Sequence, residues 1–74
     1  MENNIKQILD SEQIMSAQQF KQIRDHIGFS QEQLAFKLGY EHKSAVSHLE
    51  TGRNKITVPI DYMIKSLARG KSDV

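Results

Sequence analysis

Two consecutive stretches decide how this chain is read: Phe29-Ser-Gln-Glu-Gln-Leu-Ala-Phe-Lys-Leu-Gly-Tyr40 and Lys43-Ser-Ala-Val-Ser-His-Leu-Glu-Thr-Gly-Arg53. In the first, Leu34, Ala35 and Leu38 fall on one face at helical spacing. Ser30 followed by Gln33 is a capping box, in which each side chain satisfies a free backbone N–H at the helix start. The pattern predicts a helix over about 31–38, turned at Gly39, with Tyr40 packed under the turn. In the second stretch, Ala45, Val46 and Leu49 form the buried face of a helix from about Lys43 to Thr51, stopped by Gly52. Ala35 is small enough to let the two helices approach closely. Lys43, Ser44, Ser47 and His48 are left pointing wholly or partly outward.

The flanks extend the same pattern. Ser16 with Gln19 is another capping box, and Phe20, Ile23 and Ile27 form the inward stripe of a helix over about 17–27, ended by Gly28. A further helix is predicted from about Val58 to Leu67. Thr57 caps it, and Pro59 sits in its first turn, where proline is tolerated. Ile60, Met63, Ile64 and Leu67 close the core. Residues 1–15 read as an arm or short helix: Ile5, Ile8 and Leu9 have helical spacing, Asn4 is a candidate cap, and Asp10 and Ser11 interrupt the run. Residues 16–69 form the domain, and 70–74 a disordered, basic tail.

Composition narrows the possibilities. Seventy-four residues make one small domain with a limited core. There is no cysteine, so no disulfide supports it, and the remaining routes to stability are tight helix packing or oligomerisation. No apolar run is long enough to span a membrane, and no signal-peptide pattern is visible. A cytoplasmic protein without membrane contact is therefore expected. Among titratable groups, His26, His42 and His48 lack metal-ligand spacing. With no Gly-rich phosphate loop, Ser-His-Asp set or HExxH motif, neither catalysis nor a metal or cofactor is expected.

The net charge is +1. Lys37, Lys43, Arg53 and Lys55 outnumber Glu32, Glu41 and Glu50 between residues 30 and 56, whereas residues 1–29 carry a slight acidic excess. The positive side is thus the two-helix half and the tail, a weak footprint for nucleic acid. A chain so close to neutral would bind DNA weakly as a monomer, which favours a dimer.

The residues Phe20-x-x-Ile23-Arg24, Gly28-Phe-Ser-Gln-x-x-Leu34-Ala35-x-x-Leu38-Gly39 and Ser44-Ala-Val-Ser-x-Leu-Glu50-x-Gly52-Arg53 occur in order at fixed spacings. In this the chain resembles the Cro/repressor-type (XRE-like) helix-turn-helix family of bacterial and phage regulators, over about residues 15–67. The resemblance implies an all-α, lambda-repressor-like bundle of four to five helices. It implies a sequence-specific regulator of transcription, a repressor that binds an inverted repeat in double-stranded DNA as a homodimer. Two features depart from the family pattern. The turn between Gly39 and Ser44 is about one residue longer than usual, and Phe36 stands where the family usually has a polar residue.

Carried over residue by residue, the resemblance assigns base contacts to Lys43, Ser44, Ser47 and His48, at the start of the helix that enters the major groove. It assigns phosphate contacts to Ser30 and Gln31, at a helix N-terminus suited to anions, and to Arg53, Asn54 and Lys55 beyond the recognition helix. Arg24 and Glu50 match a buried structural ion pair. For the contact residues the alternative is a solvated surface, and for Ser30 and Gln31 capping alone. A second reading keeps the scaffold and changes the role: a protein-interaction module, such as an antitoxin neutralising a toxin partner. Phe36 and the apolar Ile5, Ile8 and Leu9 motivate it. The expected dimer surface is the Val58–Leu67 helix, including Tyr62 and Lys65.

Overall fold

Capping serines start two of the helices as their sequence requires. The computed structural model describes residues 2–72, with side chains from Ile5 to Gly70. Ser16 Oγ accepts the Gln19 N–H at 3.1 Å and Ser30 Oγ accepts the Gln33 N–H at 3.0 Å. Each glutamine returns the bond to its serine N–H, at 2.9 and 2.8 Å, so both capping boxes are complete. The helices are α1 (Glu2–Asp10), α2 (Ala17–Ile27), α3 (Gln31–Leu38), α4 (Ser44–Thr51) and α5 (Val58–Ser72). Gly39 ends α3 with φ of 86°, a left-handed conformation that costs other residues about 1–2 kcal/mol. Its N–H donates to the Phe36 carbonyl at 3.1 Å, and the Tyr40 N–H to the Ala35 carbonyl at 2.9 Å. These bonds turn the chain into the approach to α4.

The central helix is α2. It packs against α1, α4 and α5, while α3 packs against α4 and α5. Phe20 and Ile23 are wholly buried, and Ile27 nearly so, among Leu34, Ala35, Val46, Leu49 and Ile64. The radius of gyration is 11.2 Å, close to the ~11 Å of a well-packed chain of this length. Tyr40 and Leu38 lie partly buried against the core.

The last helix differs most from expectation. It continues to Ser72 rather than stopping at Leu67, so part of the expected tail is helical; residues 73 and 74 lie outside the described residues. Its buried stripe is Asp61, Ile64, Lys65 and Ala68, at helical spacing but with two charged members. Met63, expected in the core, lies off this stripe and is 37% exposed. Ile60 and Leu67 are only half-buried beside it. Lys65, expected on an outer dimer surface, is 6% exposed.

Burial of Lys65 follows from what lies over it. Its ammonium donates to the Ser11 carbonyl at 2.8 Å and the Gln13 carbonyl at 3.3 Å, and pairs with Asp61 Oδ2 at 2.9 Å. Asp61 Oδ1 in turn accepts the Met15 N–H at 3.0 Å. One turn on, the Arg69 guanidinium donates to the Leu9 carbonyl. Side chains of α5 thus bind three backbone groups of the segment between α1 and α2, among them the N–H of the buried Met15, and tie that segment to the core. Ile8 and Met15 are buried beneath it, and Ile5 and Leu9 pack on the same core. Ile5, Ile8 and Leu9, expected to be available to a partner, are therefore occupied by the protein's own fold, whereas Phe36 is not. The helix begins at Glu2, so Asn4 lies in its first turn rather than at its cap.

Replacing Lys65 by Met keeps most of the volume but leaves Asp61 without its cation and two carbonyls without a donor. The expected loss is about 3–5 kcal/mol, read as a lower urea midpoint. A loss below about 1 kcal/mol would mean that this strap carries little of the stability.

Candidate nucleic-acid interface

Arg24 sits in the last turn of α2, and Glu50 near the end of α4. Their side chains are 11% and 5% exposed. Arg24 Nε donates to Glu50 Oε2, and Nη2 to Oε1 at 3.3 Å. The remaining fork of the guanidinium, Nη1, donates to the Phe29 carbonyl at 2.8 Å, in the connection that leads into α3. The hydrogen bond to Glu50 raises the Arg24 pKa above its ordinary value, against the opposing effect of burial, so this cation persists at any ordinary pH. Two-pronged contact of this kind needs arginine: a lysine ammonium lacks the planar fork.

The pair acquires a third partner from α3. Gln31 Nε2 donates to Glu50 Oε1 at 3.0 Å. Ser30, beside it, is exposed, and its hydroxyl is engaged in the capping box. The N-terminus of α3 is therefore fixed from within by its cap and from below by Glu50. Glu50 was expected to meet only Arg24, and the bond from Gln31 was not foreseen. Gln31 lies one turn before Leu34 and Ala35, on the inward stripe of α3, and that spacing was the available signal.

On the outer side, α4 presents the residues expected to meet bases. Lys43 adopts helical dihedrals at the N-cap (φ −64°, ψ −19°) and makes no side-chain capping bond. Lys43 and Ser44 are exposed, while Ser47 and His48 are half-buried. None of the four side chains is in a hydrogen bond or ion pair among the described residues. Val46 and Leu49 anchor the opposite face in the core. The result is one helix edge with unsatisfied polar side chains of differing reach, an arrangement able to donate to and accept from base edges. Arg53, Asn54 and Lys55 follow on the same connection, all exposed. The Asn54 backbone N–H is tied to the His48 carbonyl at 3.1 Å, which holds this basic turn against the end of α4.

Phe36 is 79% exposed on the outward side of α3. It lines a cleft with Glu32, Tyr40, His42, Lys43 and Ser44, so it borders the start of α4.

A family model described as helix-turn-helix matches residues 20–60, more than half of the chain. Comparison with curated proteins and with solved structures returns no significant match.

Glu50→Ala would take from the buried Arg24 its close carboxylate partner, leaving only the exposed Asp25 at 3.5 Å, and free the Gln31 amide. The expected loss is about 3–5 kcal/mol, a large share of the roughly 4–11 kcal/mol available to a chain of this length. Joint replacement, Arg24→Met with Glu50→Leu, should cost clearly less, since no charge is then stranded. Urea unfolding of both variants distinguishes them; equal losses would show that the charge pairing is not what matters here.

Proposed function

The chain belongs to the Cro/C1-type (XRE-like) helix-turn-helix family of DNA-binding regulatory domains, and from that premise we propose that it is a sequence-specific repressor acting as a homodimer on an inverted repeat. Its role is of the DNA-binding, transcription-regulating type. The observation that carries the finer reading is the edge of α4. Among the described residues its polar side chains Lys43, Ser44, Ser47 and His48 have no partners, while its apolar face is locked in place by Val46, Leu49 and the Glu50 network.

Lys43, Ser44, Ser47 and His48 read base edges in the major groove. Lys43 pairs with guanine, whereas the two serines allow close approach with little discrimination. Ser30 and the backbone N–H of Gln31 at the start of α3, and Arg53, Asn54 and Lys55 after α4, bracket that edge and take the phosphates on its two flanks, while the Gln31 side chain stays on Glu50. The protein works in the cytoplasm of a bacterium, encoded there or by a phage, without enzymatic chemistry. No helix among the described residues is long and apolar enough to cross a membrane.

Size and surface support the dimer. The longest dimension of the molecule is 29 Å, so one copy cannot address two major grooves about 34–36 Å apart. Besides Phe36, the exposed large apolar residues are Ile14, Val58, Tyr62 and Met63. Three belong to α5. Ile14 precedes Met15, whose N–H is bound by Asp61 of that helix. Tyr62 is 68% exposed, and we assign the pairing surface to this face. Phe36 favours a second reading in which a protein partner, such as a toxin or another regulator, docks beside the DNA-facing edge.

Three measurements check this reading. Random duplexes selected by the wild type and by Ser47→Ala or His48→Ala should yield different preferred sites, with about 1–3 kcal/mol lost per missing base contact. Unchanged affinity and site preference in both variants would remove α4 from the reading role. Neutral Gln at Arg53 or Lys55 should weaken all duplexes alike and reduce the logarithmic salt slope by about 1. Sedimentation should show a dimer that Tyr62→Glu converts to monomer without unfolding it, whereas a wild type that stays monomeric at micromolar concentration with DNA present contradicts the pairing surface.

A further inference from the structure

We infer that Gln31 is a positioning residue, which sets the register between the phosphate-facing start of α3 and the reading edge of α4 through its bond to Glu50. The inference rests on the DNA-reading role proposed for α4 and deepens it. Three observations carry it. Gln31 is the first residue of α3, next to the exposed Ser30, yet its amide nitrogen donates inward to Glu50 at 3.0 Å. The orientation of that amide is chemically fixed, because its oxygen facing a carboxylate oxygen would give two acceptors and no proton between them. And Glu50 itself is held by Arg24, whose other fork grips the Phe29 carbonyl just before α3.

A closed circuit results. From Glu50 one path runs directly to Gln31, and the other runs through Arg24 and Phe29 to the same helix start. The two paths fix α3 against α4 at a carboxylate that is almost wholly buried. Low surrounding polarity strengthens such bonds and makes them geometrically demanding. A helix start that binds phosphate and a helix edge that reads bases must be held in one relation for both to engage the same duplex, since a misplacement of about 1 Å is enough to break a hydrogen bond. Gln31 spends one amide proton on that relation. Its contribution to DNA binding is therefore selective for the cognate site, which a plain phosphate ligand's would not be.

The test is Gln31→Met in the full chain, a substitution of similar length and good helix propensity. Affinity is measured by fluorescence anisotropy on the duplex selected by the wild type and on a scrambled duplex, each across a salt series. Expected is about a tenfold loss on the selected duplex, because the fixed relation of α3 to α4 is then missing in the free protein and must be restored on binding. Binding to the scrambled duplex and the salt slope should change little, while the melting temperature falls by several degrees because Glu50 loses one of its hydrogen bonds. An equal loss on both duplexes with a salt slope smaller by about 1 would make Gln31 a phosphate ligand and overturn the positioning role. So would unchanged affinity on both. If the wild type itself fails to distinguish the duplexes, the DNA-reading role falls, and the free protein decides the Gln31 link alone. Amide NMR shifts of Gln31→Met should then move along α4 as well as in the first turn of α3, and shifts confined to that turn would overturn it.

Discussion

A carboxylate removed almost entirely from water must be paired and hydrogen-bonded, and at Glu50 that requirement joins three helices. Arg24 reaches it from α2 and Gln31 from α3, while Glu50 itself belongs to α4. The same arginine holds the Phe29 carbonyl, so the connection between α2 and α3 is drawn into the same cluster. Hydrophobic packing brings these helices together without fixing their relative rotation to the last ångström. The polar cluster supplies that precision where the fold needs it, directly behind the surface proposed to meet DNA. A small core can thus hold a reading edge in place with few apolar residues.

A second polar cluster works at the other side of the molecule. Lys65 and Asp61 of α5 bind backbone groups between α1 and α2, which brings Ile8 and Met15 into the core. Both clusters meet the cost of buried charge by adding hydrogen bonds from backbone or amide groups, and no buried side-chain polar atom among the described residues lacks a partner. The two clusters leave different surfaces open. Around α4 the exposed groups include Lys43, Ser44, Arg53, Asn54 and Lys55; along α5 the exposed large apolar side chains are Val58, Tyr62 and Met63. In the proposed function the first surface faces DNA and the second a second copy of the chain.

The sequence was legible where local rules act alone. Both capping boxes, the glycine stops after α2, α3 and α4, and the buried stripes of Phe20, Ile23 and Ile27 and of Val46 and Leu49 follow from spacing and backbone chemistry. The family match over residues 20–60 agrees with the resemblance those motifs carry. Where the reading failed, a charged side chain occupied a core position. Asp61 and Lys65 concealed the true stripe of α5, and Met63 was placed inward in their stead. Only the contact with the 11–15 segment, more than forty residues away in sequence, makes that stripe buried, and no periodicity contains such a contact. Gln31 is similar: its spacing placed it inward, but its neighbour Ser30 and the helix start suggested an outward role. The candidate contact residues were legible as an outward edge, while their register against bases depends on a duplex.

The central claim is that α4 enters the major groove, and chemical interference tests it most directly. Dimethyl sulfate methylates guanine N7 in the major groove and adenine N3 in the minor groove. On a duplex enriched from random sequence, bound and unbound fractions would be compared for both modifications. The account predicts that guanine N7 methylation blocks binding in two clusters related by symmetry and about one helical turn apart. Interference confined to adenine N3, or none at either position, would contradict it.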